Sequence, residues 1–148
     1  NHRKGAWDVL DSKFDARKDK LPYQEYIQTL YNSKVAISPF GMGEFCFRDL
    51  ESMLVGTIIL KPSHKKVDTL PNVMIDDETF IPCKYDWSDL EEKIDYVLSN
   101  YDELQPYIVE NMKSSFIKKN NNKNLVIHMH EIFEVNHMAH HSVPRLPA

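Results

Sequence analysis

Apolar positions recur at helical spacing in several stretches of this chain, with short continuous runs between them. Trp7, Leu10 and Phe14 stand three and four apart in a mostly charged opening, which predicts a first amphipathic helix or turn. Tyr23, Tyr26, Ile27, Leu30 and Tyr31 form a fuller stripe behind Pro22, a residue that the first turn of a helix accepts; this helix is expected to end near Asn32-Ser33. Lys34 to Ser38 is short, apolar and β-branched, as a buried strand would be, and Pro39 stops it. After a loop containing Gly41 and Gly43, Phe47, Leu50 and Leu54 give a helix over Phe45 to Val55, closed by Gly56, with a second strand from Thr57 to Leu60. Asn72 to Ile75 and Thr79 to Ile81 are weaker strand candidates in a proline-containing stretch, suited to edges or loop anchors.

From Asp86 or Ser88 as cap, Trp87, Leu90, Ile94, Val97, Leu98, Tyr101 and Leu104 predict a long helix to about Tyr101, and Pro106 is expected to start another. The polar run from Lys118 to Lys123 reads as a break, Leu125 to Phe133 as a terminal helix, and the residues from Asn136 as a poorly ordered tail. The order of strands and helices predicts one domain over residues 1–135, an open α/β parallel sheet flanked by helices, followed by a tail over 136–148. In such sheets ligands bind outside the carboxyl ends of the strands, where the loop from Pro39 to Gly43 falls.

Composition narrows the function more than the fold. A net charge of -4 gives no electrostatic footprint for nucleic acid or an anionic membrane. No stretch approaches the roughly 18 apolar residues of a membrane span, and the first residues lack the apolar core of a signal peptide. Cys46 and Cys83 stand in unrelated contexts, so two reduced, buried thiols and a cytoplasmic setting are expected. The first residue is Asn1 rather than methionine, from which a fragment or processed product is expected. If the natural chain carries an amino-terminal anchor, the Golgi lumen replaces the cytoplasm.

The candidate chemistry gathers around the loop. Gly41 and Gly43 suit a backbone that approaches a phosphate closely, and the helix that follows adds the positive end of its dipole. Glu44, Arg48 and Glu51 stand at i, i+4 and i+7 and are expected to share one face of that helix. Arg48 has the planar fork for a diphosphate, and Glu51 could accept hydrogen bonds from a ribose diol. The pattern is neither a P-loop nor the dinucleotide fingerprint. His64, beside Lys65 and Lys66 after the second strand, lies in a loop that would face the same ligand.

Tyr26-Ile27, Ser33-Lys-Val-Ala-Ile-Ser-Pro-Phe-Gly41 and Phe47-Arg-Asp-Leu-Glu-Ser-Met-Leu-Val-Gly-Thr-Ile-Ile-Leu60 resemble the carboxyl-terminal, nucleotide-sugar-binding half of GT-B glycosyltransferases, closest to the exostosin-like and family-1-like group. The resemblance implies a Rossmann-like half domain in which Glu51 holds the donor ribose and the glycine loop and Arg48 lie near the diphosphate. It also implies a nucleotide-diphosphate sugar as substrate, a glycan or protein acceptor, and no metal or further cofactor. Transfer would need an acceptor-binding half outside this sequence, which normally supplies the base of an inverting reaction. Two departures stand out. The paired glutamates of retaining members lie one residue further apart than Glu44 and Glu51, and Gly56-Thr-Ile-Ile-Leu60 keeps the strand without the family's proline.

His128, His130, His137, His140 and His141 have spacings a metal could use, but read as solvated histidines of the chain's end. Asp76-Asp-Glu78 reads as an exposed turn, and the tyrosine stripe and Trp87 as packing. The rival function is a non-catalytic α/β interaction or assembly domain, for which a homo-oligomer would be expected.

Overall fold

The computed structural model describes residues 2–14, 16, 19–41, 43–67, 69 and 72–119 of the 148. In chain order the elements are α1 (His2–Lys13), α2 (Tyr23–Tyr31), β1 (Val35–Ile37), α3 (Phe47–Val55), β2 (Ile58–Pro62), β3 (Ile81–Cys83), α4 (Leu90–Ser99) and α5 (Tyr101–Lys119). The strands form one parallel sheet in the order β1-β2-β3, with Val35 opposite Ile58 and Leu60 opposite Ile81. The domain is thus the open α/β parallel sheet with flanking helices that the apolar pattern predicts, and its architecture is Rossmann-like.

The central strand explains the pattern. Parallel sheets are covered on both faces, so a middle strand must bury every side chain, and β2 does so from Ile58 to Pro62. Ile58, Ile59 and Leu60 are wholly inaccessible, and burial of side chains of this size contributes about 1.5–3 kcal/mol each. α3 packs on β2 and on α2, while α4 touches β2, β3, α1 and α5. Gly56 adopts φ +76°, and the bonds Thr57 N–H to Ser52 O (3.0 Å) and Gly56 N–H to Met53 O (3.2 Å) complete a Schellman motif at the end of α3.

Several expectations are corrected. α3 starts at Phe47, because the extended Cys46 caps it, and so Glu44 precedes the helix instead of sharing its face with Arg48 and Glu51. Phe47 is 81% exposed at the first helical position, while Met53 carries the core contact. Tyr23 is exposed rather than packed, and Trp7 stands partly clear of the α1 interface made by Ala6 and Leu10. Trp87 is buried outside α4 at φ +63°, and the expected single helix divides at Asn100. Pro106 lies inside α5, exposed in its second turn. The buried stripe Ile108, Met112 and Phe116 holds that helix on the core across the lost backbone bond.

Between β2 and β3, Val73 and Met74 are buried, but the strand lies later, at Ile81–Cys83. Thr79 organises this connection by donating to Val73 O (2.9 Å) and accepting from the Ile75 N–H (2.8 Å). The expected helix over Leu125 to Phe133, the tail and its histidines lie outside the described residues.

Candidate functional site

All three strands point their carboxyl ends to one edge, so the segments leaving them converge there. Ser38 follows β1, Lys61 and His64 end and follow β2, and Tyr85 follows β3. Lys61 continues the apolar run of β2 and is completely buried. An isolated ammonium there would cost several kcal/mol, and the compensation comes from Asp49, also inaccessible, in the first turn of α3. The Lys61 Nζ donates to Asp49 Oδ2 at 2.9 Å and Oδ1 at 3.2 Å. Asp49 also accepts from the Ser38 hydroxyl (2.6 Å) and, in the manner of a capping box, from the Cys46 N–H (2.8 Å). One carboxylate therefore ties β1, β2 and the start of α3 together. The Phe40 ring lies over the ammonium, 5.1 Å from Nζ to its centroid.

His64 sits beside this pair. Its backbone N–H donates to Asp76 Oδ1 (2.8 Å), and the Ser63 hydroxyl bonds the other oxygen of the same carboxylate. The acidic triplet is thus a turn at Asp77 and Glu78, with Asp76 turned inward as an anchor. The imidazole is only 5% exposed, packs against Phe40 (5.5 Å) and Phe80 (5.4 Å), and has no hydrogen-bond partner at either ring nitrogen. Burial lowers its pKa below 6.5 and the Lys61 charge adds to this, while Asp49, Asp76 and the Glu44 carbonyl oppose it.

The start of α1 covers the same edge. His2 stacks on Tyr85 (4.5 Å) and Phe40 (5.6 Å), bonds Tyr85 O through Nε2 (2.9 Å), and leaves Nδ1 buried without a partner. The Trp87 indole N–H donates to His2 O at 3.0 Å.

The expected site residues divide between two places. Gly41, Gly43 and Glu44 are exposed in the loop, near the Asp49–Lys61 pair and His64. Gly41 N–H donates to Gly43 O (3.2 Å), and neither glycine has a positive φ. A Cβ on Gly43 would meet nothing nearer than Phe45 O at 3.8 Å, whereas one on Gly41 would touch the Arg3 guanidinium at 3.4 Å, so the open approach is at Gly43. Arg48 and Glu51 are half-buried against α2 instead. The Tyr26 phenol is pushed up to about 12, first by burial and then by the Glu51 carboxylate beside it, with Arg48 opposing.

Comparison with protein-family models and with curated proteins finds no match.

Sequence reasoning passed over Ser38, Asp49 and Lys61. The available signal was a lysine directly after Ile-Ile-Leu, on what becomes the central strand, and an aspartate three residues after a helix cap. Cys83 is a free, buried thiol raised to about 12, chiefly by burial, whereas Cys46 is free and half-buried. Among the described residues no group of three or more His, Cys, Asp or Glu side chains could hold a metal, and no helix is long and apolar enough to cross a membrane. Chemically, the edge combines an open loop, a helix start, a neutralised lysine and an unsatisfied imidazole. Such a set is suited to hold an anion.

Proposed function

We propose that this α/β domain binds the nucleotide-diphosphate sugar of a glycosyltransferase at the carboxyl edge of its sheet. The observation that carries the reading is the buried Asp49–Lys61 pair with the unpartnered His64 beside it, beneath the loop of Gly41 and Gly43. Charged and polar groups so placed contribute little net stability compared with an apolar core, and a ligand gives them a use. The likeness of residues 26–60 to GT-B donor halves supports the same assignment. In this reading the diphosphate lies along the loop and the start of α3, where backbone N–H groups and the helix dipole oppose the charge that develops as the sugar leaves. Arg48 and Glu51 serve the nucleoside end. The ribose hydroxyls compete there with the Tyr26 phenol for the Glu51 carboxylate.

Calorimetric titration with UDP, GDP and their sugar conjugates tests the proposal. Saturable binding is expected for one base series, weakened by about 1.5 kcal/mol or more in Arg48→Ala and in Glu51→Ala. A folded protein that binds none of these ligands favours the assembly-domain reading, for which the exposed Phe47, Tyr85 and Tyr23 are the supporting observation.

A further inference from the structure

His64 is the one imidazole among the described residues with both ring nitrogens buried and unpartnered, although buried polar groups are nearly always hydrogen-bonded. A neutral imidazole offers one donor and one acceptor; the Glu44 carbonyl approaches closely enough to favour the protonated ring, but neither nitrogen has a partner in good hydrogen-bond geometry. The groups around it come from every packed element. They are Lys61 on β2, Asp49 on α3, Asp76 before β3, the Glu44 carbonyl in the loop, and the aromatic cover of Phe40 with His2 and Tyr85. Lys61 is already matched by Asp49, so an entering anion finds no uncompensated positive charge on the floor of the site. The residue able to supply one is His64. Its cover, Phe40, belongs to the loop between β1 and α3 and not to the sheet, and the neighbouring Gly43 leaves open space.

We propose that donor binding at this edge is coupled to proton uptake: the diphosphate displaces Phe40, and His64 takes one proton from solvent to become an imidazolium that donates to a phosphoryl oxygen. This rests on the donor-site reading and deepens it. The charge balances, since a neutral ring gains one proton and pairs with one phosphoryl negative charge. The ligand raises the proton affinity of His64, so affinity rises as pH falls through the bound-state value, by up to about tenfold per pH unit.

The test is calorimetry with intact UDP-glucose and GDP-mannose, whose diphosphodiesters do not themselves titrate near neutrality. Titrations are run in two buffers of different ionisation enthalpy, on the wild type and on His64→Gln, which retains an amide donor without a titrating group. The expected result is net proton uptake approaching one per ligand in slightly acidic buffer for the wild type and near zero for His64→Gln. Binding without proton uptake, or the same uptake in both proteins, overturns the coupling and leaves the donor site standing. Absence of binding by either sugar nucleotide at any pH overturns both. Should His64→Gln fail to fold, the wild type is compared with His2→Gln, because zero uptake in the wild type or its loss in His2→Gln refutes the proposal, and uptake retained in His2→Gln supports it.

Discussion

Lys61 stands where a sequence pattern gives least warning, one residue beyond an apolar run that ends at Leu60. Whether its side chain is buried depends on β2 being the middle strand, and sheet order is decided by contacts distant in sequence. The same holds for Asp49, whose partners Ser38 and Lys61 lie 11 and 12 residues away. Lys61→Met leaves the Asp49 carboxylate uncompensated and is expected to destabilise the domain by about 3–5 kcal/mol in denaturant unfolding. The double replacement Asp49→Leu with Lys61→Met should recover most of that loss. Titration adds a second prediction. His64 and His2 have folded pKa values below 6.5, so between 6.5 and those lowered values the unfolded chain binds protons that the folded chain refuses. Stability is fully present above 6.5 and falls as pH drops through that window, with a shallower slope in His64→Gln. Tyr26 has the opposite sign. Its proton is held to about 12 instead of 10.0, so its contribution is complete below 10.0 and is lost as pH rises toward 12. Tyr26→Phe should flatten that part of the alkaline loss.

Local signals fixed the elements where they agreed with packing. Gly56 was legible as a helix stop because the left-handed conformation it adopts excludes most side chains. Gly56→Ala meets Gln105 and Val109 at ordinary contact distances of 3.4 Å, so its expected cost of about 1–2 kcal/mol comes from the backbone, and thermal unfolding would measure it. Pro106 was misleading for a complementary reason. Proline is favoured near a helix start, yet here the buried Ile108, Met112 and Phe116 continue the stripe of Leu104 and outweigh one missing bond. The helix expected from Phe45 begins at Phe47, so Glu44 and Phe45 precede the Cys46 cap, and Phe47, at the first helical position, faces solvent. Trp87 fits the same period but is set at φ +63° ahead of α4, where its indole bonds α1 instead of filling a helix face.

At the scale of the whole molecule, the parallel sheet and its carboxyl edge were legible because strand, loop and helix alternate in order along residues 34–62. The composition of the edge was less so. Its members come from β1, β2, α3, the start of α1 and the segment after β3, and only the loop and His64 could be placed there from adjacency in the chain. The tertiary fold therefore separates the anticipated residues into a group around His64 and a second group, Arg48 and Glu51, against α2. A single ligand must span both groups if the domain is a sugar-nucleotide binder, with phosphates at one and the nucleoside at the other. Amide chemical-shift mapping by NMR, with the best-binding sugar nucleotide added to saturation, tests that directly. The account predicts changes concentrated in residues 38–51 and 61–64, with the largest movement at the Phe40 to Phe45 loop and His64. Shifts confined to another face of the domain, or none at saturating ligand, would contradict it.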